Sequence, residues 1–110
     1  MKTPLRNELF DVVDWLKEHF PLAFPRSAKQ VRPLQLGIME DILDFYDRLI
    51  TPPFSKKRLR SGLNYYTSSK AYLLAQKAGV MRVNLYGFDV EPVTEEQAAY
   101  AQEKYQQRHC

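Results

Sequence analysis

Lys56, Lys57 and Arg58 follow directly on Ser55, a residue type that caps helices well. With Ser55 as cap, the three cations occupy the first turn of a helix. The amide end of a helix already carries partial positive charge, so each cation there is unfavourable by a few tenths of a kcal/mol. A chain optimised only for stability would place Asp or Glu in those positions. The arrangement makes sense where a phosphate docks, because free N–H groups and cations both attract it. The bland alternative is a merely solvated helix end. Lys56 and Arg60 stand four apart and share a face, and Asn64 continues the row.

Further residues downstream could serve the same chemistry. Thr67, Ser68 and Ser69 offer three hydroxyls where one helix ends and another begins. Capping is their default task, but hydroxyls beside free amides also hold phosphate. Tyr65, Tyr66 and Tyr72 lie close by. An exposed tyrosine near arginine can stack on an unpaired base, worth roughly 1–3 kcal/mol. Tyrosine at helical spacing is also ordinary core: Tyr66 is read as core, and Tyr72 fits either role. Arg82 alternates with Met81 and Val83, so it projects from the other face of a strand and joins the patch if that face meets the basic helix.

Catalysis finds little support. His19 and His109 are far apart, each beside a helix end, and His19 is expected to pack or cap. Cys110 is terminal and poorly placed as a nucleophile. Glu40, Asp41, Asp44 and Asp47 read as the water-facing side of a helix. Metal-ligand spacing, a glycine-rich phosphate loop and a nucleophile elbow are all missing from the sequence. No enzyme activity, cofactor or metal is expected.

Charge is segregated. From Arg48 through Phe88 there are eight Lys or Arg residues and no acid, whereas the rest of the chain holds eight basic residues and all thirteen acids. The middle therefore carries +8 and the remainder −5. Such asymmetry creates a local positive potential that a polyanion would feel. The overall charge of +3 would not have argued this by itself. With 45% hydrophobic and 26% charged residues, the 110-residue chain suits one globular unit, residues 1–110, able to bury a modest core unaided. One cysteine excludes an internal disulfide and fits a reducing compartment. No apolar run approaches the roughly 20 residues that span a bilayer, and the N-terminus lacks a signal-peptide core. A cytoplasmic, monomeric protein with no membrane contact is expected.

The elements that must position these residues are mainly helical. Thr3-Pro4 starts a first helix whose stripe is Leu9, Phe10, Val13, Leu16 and Phe20. A loop over 21–31 follows, with Leu22 and Phe24 tucked beneath it. A second helix opens at Arg32-Pro33, carries Leu34, Ile38, Ile42, Phe45 and Leu49 inward, and stops at Thr51-Pro52-Pro53. Gly37 falls inside it, where it costs about 1 kcal/mol relative to alanine; either the site tolerates this or something approaches the backbone there. The third helix buries Leu59, Leu63 and Tyr66. A short fourth runs through Tyr72 and Leu73 to a cap near Gly79. Met81–Leu85 and Val90–Val93 form a hairpin, Pro92 keeping the second strand at an edge. Thr94-Glu95-Glu96-Gln97 is a capping box that opens the last helix.

Three blocks of sequence also resemble one family. Arg32-Pro33-Leu34-Gln35-Leu36-Gly37-Ile38 with Asp41, then Leu59-Arg60-Ser61-Gly62-Leu63 with Tyr66-Thr67-Ser68-Ser69 and Tyr72-Leu73, then Gly79 to Gly87, are similar in order and spacing to the motifs of the ProQ/FinO domain. The likeness runs from about Leu16 to Tyr105. It implies a mainly α fold with a small β-hairpin (α+β), about five helices and a concave basic face. It also implies an RNA chaperone of bacterial post-transcriptional regulation, binding stem-loops with single-stranded 3′ tails, small RNAs and mRNAs. Carried over by position, Arg32, Lys56, Arg60, Tyr72 and Arg82 line the RNA face, with Lys70 beside them. Thr67, Ser68 and Ser69 lie at a 3′-end pocket, and Gly37 is a close-approach glycine. Lys57, Arg58, Asn64 and Gln35 are secondary contacts, and Asp41 is a support that orients an arginine.

The chain departs from the family pattern at three positions. Gln35 stands where lysine is common, Asn64 where arginine is common, and Lys70 where an aromatic often sits. The first two remove charge from the expected face; Lys57 and Arg58 can compensate. Two other classes remain open: a DNA-binding helix-turn-helix built from 55–66 and 69–76, and a protein-interaction module with tyrosine hot spots.

Overall fold

The computed structural model describes residues 6–109. The Thr3-Pro4 helix start lies outside them. In chain order the elements are α1 (Arg6–His19), a 3-10 turn at Ala28–Gln30, α2 (Ile38–Tyr46), α3 (Lys56–Thr67), α4 (Lys70–Ala75), β1 (Met81–Val83), β2 (Asp89–Pro92) and α5 (Glu95–His109). Five helices and one antiparallel hairpin make the mainly α, α+β arrangement expected from the sequence. Among the described residues, no helix is long and apolar enough to cross a membrane.

Capping residues set several boundaries where local chemistry predicts them. Ser55 Oγ accepts from the Arg58 amide at 3.1 Å, and Ser69 Oγ accepts from the Tyr72 amide at 3.3 Å. Thr94 and Gln97 exchange the reciprocal pair of a capping box: Gln97 N donates to Thr94 Oγ1 at 3.1 Å and Thr94 N to Gln97 Oε1 at 3.0 Å.

The core lies where α1 crosses α3. Val12, Val13 and Leu16 of α1 meet Leu59, Leu63 and Tyr66 of α3, joined by Phe20, Phe24, Ile38, Ile42, Tyr72 and Val83. Each such side chain contributes about 1.5–3 kcal/mol when fully buried. Gly62 allows the closest approach, since a Cβ there would stand 2.3 Å from Val12 Cγ1. Trp15, Phe20, Phe45, Tyr46 and Phe54 form an aromatic cluster at one end. His19 stacks on Trp15 and bonds its carbonyl at 3.0 Å, the packing role expected of it.

Several boundaries differ from the sequence reading. The second helix begins at Ile38, not at Arg32. Residues 32–35 are extended and pair alongside β1: Gln35 N donates to Val83 O at 2.8 Å and Val83 N to Pro33 O at 2.9 Å. Gly37 is consequently the N-cap of α2, with φ +79°, and not an interior residue. Its need for glycine is this left-handed backbone, and apart from its chain neighbours no atom of the described residues comes within 4 Å of where its Cβ would be. α4 ends at Ala75 with Gln76 as cap, so Gly79 is the turn into β1 (φ +87°) and not a helix cap. β1 is shorter than read, stopping at Val83 where the register shifts, and β2 keeps four residues but runs one position earlier, from Asp89 to Pro92. Leu22 and Phe10 are exposed, and Val12 takes the buried place that the α1 stripe assigned to Phe10.

Candidate nucleic-acid interface

One face of α3 carries the basic row. Lys56, Arg60, Asn64 and Thr67 follow one another at helical spacing over about 16 Å, flanking the buried side of Leu59, Gly62, Leu63 and Tyr66. Arg60 and Lys57 are exposed and form no salt bridge among the described residues. Lys56 pairs with Asp47 at 2.5 Å, both side chains half exposed. Surface pairs of this kind contribute roughly 0–1 kcal/mol, so a phosphate can compete for the lysine. Arg58 points the other way. Its guanidinium donates to Asp11 Oδ2 and the Glu8 carbonyl, both at 3.1 Å, and lies over Phe54, which fastens α3 to α1. Two of the three cations that crowd the start of α3 thus have a carboxylate brought by another element.

The row ends at a cleft of about 380 Å³ where Thr67 meets Tyr72, Arg82, Leu36 and one face of α5. Arg82 is its charged floor and is 5% exposed. It projects from β1 opposite to the core, as strand alternation requires, but α5 covers that side. The guanidinium donates to the Leu34 carbonyl at 2.9 Å and to Gln97 Oε1 at 3.1 Å, while its buried Nε has no partner among the described residues. Tyr72 is also buried. Its hydroxyl accepts from the Leu34 amide at 3.1 Å, and burial raises its pKa, an effect that the Leu34 amide and Arg82 partly oppose. Between strand-like 32–35 and α4, then, Leu34 is clamped by Tyr72 through its amide and by Arg82 through its carbonyl.

The Thr67-Ser68-Ser69 turn lies beside this cleft. Ser69 is committed to capping α4 and donates to the Tyr66 carbonyl at 2.7 Å. Thr67 Oγ1 donates to the Asn64 carbonyl at 3.3 Å. Ser68 Oγ is buried with no partner among the described residues, and the Ser68 carbonyl accepts from His109 Nε2 at 3.0 Å.

Other expected residues lie elsewhere. Arg32 and Lys70 line a separate groove on the far side of α4, and Arg32 pairs with Asp89 of β2 at 2.5 Å. Gln35 and Asp41 line a third recess, between α2 and the hairpin, with Arg48 and Tyr86. Asp41 makes no salt bridge among the described residues; the acids that hold arginines are Asp89, on Arg32, and Asp11, on Arg58. Gly37 caps α2 immediately after Leu36, at the cleft's edge.

Sequence reasoning missed what α5 brings. Gln97, Tyr100 and Lys104 line the cleft with Ala101. Their spacing of three and four residues puts them on one helical face, a signal that was available once Gln97 anchored the register.

The chain matches the model of the ProQ/FINO family over residues 7–110. It is 44% identical over 96 residues to an RNA chaperone ProQ of Idiomarina loihiensis, covering 84% of this chain and 43% of that protein. An RNA chaperone ProQ of Pseudoalteromonas atlantica is 37% identical over 95 residues, covering 84% and 41%. The chain therefore spans less than half the length of these curated relatives. Among solved structures, a ProQ homolog from Legionella pneumophila superimposes with TM-score 0.82 at 50% identity, over 99% of this chain and 88% of that one. A FinO-like RNA chaperone of Neisseria meningitidis MC58 gives TM-score 0.68 at 22% identity, over 98% and 84%, a likeness of fold. With fold, motif order and family model in agreement, this chain belongs to the ProQ/FinO family.

Proposed function

We propose that this chain is a non-enzymatic RNA-binding domain that grips a structured RNA near its 3′ end and acts as an RNA chaperone. The stem's phosphates run along the α3 row, with Lys56 and Arg60 as main contacts and Lys57 and Asn64 beside them. Unpaired 3′ nucleotides enter the cleft between Thr67, Tyr72 and Arg82, with Ser68, Ser69 and Gly37 at its edge. Recognition by shape and charge suits an A-form stem, whose deep major groove hides base identity. The reading takes the protein to work as a cytoplasmic monomer, with small RNAs and mRNAs as partners.

One observation carries this reading: the exposed cationic row of α3 runs into a cleft lined by Thr67, Tyr72 and the buried guanidinium of Arg82. The family's RNA chaperones add weight. A helix-turn-helix reading loses ground because α4 has six residues and spans only about 9 Å.

Fluorescence titration tests the proposal with three ligands: an RNA hairpin with a single-stranded 3′ tail, the same hairpin with the tail removed, and a blunt DNA duplex. The tailed hairpin should bind most tightly, with at least a tenfold loss when the tail is removed. Equal affinity for all three would refute it. Since phosphate contacts release counterions, binding should also weaken steeply with salt.

A further inference from the structure

The flank of α4 that faces away from the cleft carries its own groove, of about 560 Å³. Lys29, Arg32, Lys70 and Lys77 stand around it, and no carboxylate is among its lining residues. Its floor is aliphatic: Leu74 is 49% exposed and Val80 37%. Helical geometry separates this groove from the cleft. Lys70, Ala71, Leu74 and Ala75 face one side of α4, while Tyr72, Leu73 and Gln76 face the other.

We propose, on the footing of the RNA-binding reading above, that this groove binds an unpaired RNA strand while the cleft holds the 3′ end of another RNA. Four cations without an opposing acid in the lining match a polyanion. The Arg32–Asp89 pair is half exposed and weak enough to yield to a phosphate. The aliphatic floor selects among polyanions. A duplex turns its stacked bases inward and presents sugar and phosphate, whereas an unpaired strand can lay base faces on Leu74 and Val80. With no aromatic ring in the lining to stack on, binding should be weak and tolerant of sequence, in the range of about 10⁻⁴–10⁻⁶ M typical of non-specific contacts. Weak binding suffices for pairing, because two RNAs held on one domain meet at an effective concentration near the millimolar range. Lys70 follows Ser69 directly, so the two RNAs would lie on opposite flanks of one short helix.

The test uses the whole chain, first saturated with a 3′-tailed hairpin. A fluorescent, unstructured 12-nucleotide RNA carrying a 3′ phosphate is then titrated in and followed by anisotropy. Wild type should bind it with the hairpin in place. The variant K29Q/K77Q changes two exposed side chains outside the cleft. It should bind the oligonucleotide at least fivefold more weakly, with hairpin affinity within twofold of wild type. Its slope of log affinity against log salt should shrink by about 1.4, for two single-strand phosphate contacts. Annealing of the hairpin's loop to a complementary strand should slow in parallel. Complete displacement of the oligonucleotide by the hairpin would overturn the proposal. So would wild-type oligonucleotide binding by K29Q/K77Q, or equal competition by a polyglutamate peptide of matched charge. If the tailed hairpin itself failed to bind, the cleft reading would fall. The K29Q/K77Q comparison without hairpin would still judge the groove.

Discussion

Arg82→Gln separates the two tasks assigned to the buried arginine. The substitution removes a charged donor from the Leu34 carbonyl and from Gln97 Oε1. Hydrogen bonds from charged groups contribute about 1.5–3 kcal/mol each. Gln97 Oε1 keeps its bond from the Thr94 amide, whereas the Leu34 carbonyl loses its arginine donor, so the loss falls near the lower end, about 3 kcal/mol. Total stability for such a domain is about 5–15 kcal/mol, so the variant still folds at room temperature. Its Tm should drop by about 12 °C or more. Circular-dichroism melting reads this loss, and hairpin affinity is then measured at 10–15 °C, well below the lowered Tm. There the tailed hairpin should bind about tenfold more weakly, and the hairpin without its tail nearly as well as to wild type. A Tm within 2 °C of wild type would refute the structural half of the reasoning. An unchanged preference for the tail in a folded variant would refute the binding half. Both outcomes are coupled because Arg82 is buried and bonded to Leu34 and Gln97, so no substitution there leaves the fold untouched.

Arg60→Ala is the contrasting case, because its side chain is exposed and forms no salt bridge among the described residues. Its Tm should stay within 2 °C of wild type while hairpin affinity falls several-fold, and the salt slope should shrink by about 0.9. Gly62→Ala drives a methyl into Val12 across the α1–α3 contact and should cost about 1–3 kcal/mol by overpacking, read by denaturant titration. Tyr66→Phe removes a buried hydroxyl that has no partner among the described residues and should stabilise the fold by about 1 kcal/mol. Burial raises the Tyr66 pKa, so the folded state holds the phenol proton more tightly than the unfolded chain. Its contribution is therefore complete below the unfolded value of about 10 and is lost as pH rises above it. Alkaline unfolding above about pH 10 should accordingly be shallower in Tyr66→Phe, with Tyr72, also raised, supplying the residual slope.

How much of this was legible in the sequence depends on the range of the interaction concerned. Ser55, Ser69 and the Thr94–Gln97 box were readable because a cap is decided within three residues. The segment before α2 was not. Leu34, Ile38 and Ile42 recur every fourth residue, as in a helix, yet Leu34 is buried by pairing with Val83, a residue forty-nine positions later. Periodicity cannot register a partner at that distance, and the left-handed Gly37 that breaks the pattern looks in sequence like a tolerated glycine. The same blindness affected Arg82. Alternation correctly turned it away from the core, but a small hairpin has two faces and α5 closes the second. The charge map had the opposite weakness: it located an acid-free segment without saying which way each side chain points. α4 divides that segment into two surfaces, with Tyr72 on one and Lys70 on the other. The acids that fasten the basic segment come from outside it, from Asp11 and Asp47, while Asp89 pairs with Arg32 beyond it. Arg58 is thereby committed to α1, and Lys56 and Arg32 are held loosely in half-exposed pairs. Arg60, Lys57, Lys70 and Lys77 remain exposed without salt bridges among the described residues. The weakly paired cations, Lys56 and Arg32, are partly positioned before any polyanion arrives, whereas the bare ones are not. The ordering cost on binding is then lower than for side chains that must first be fixed in place.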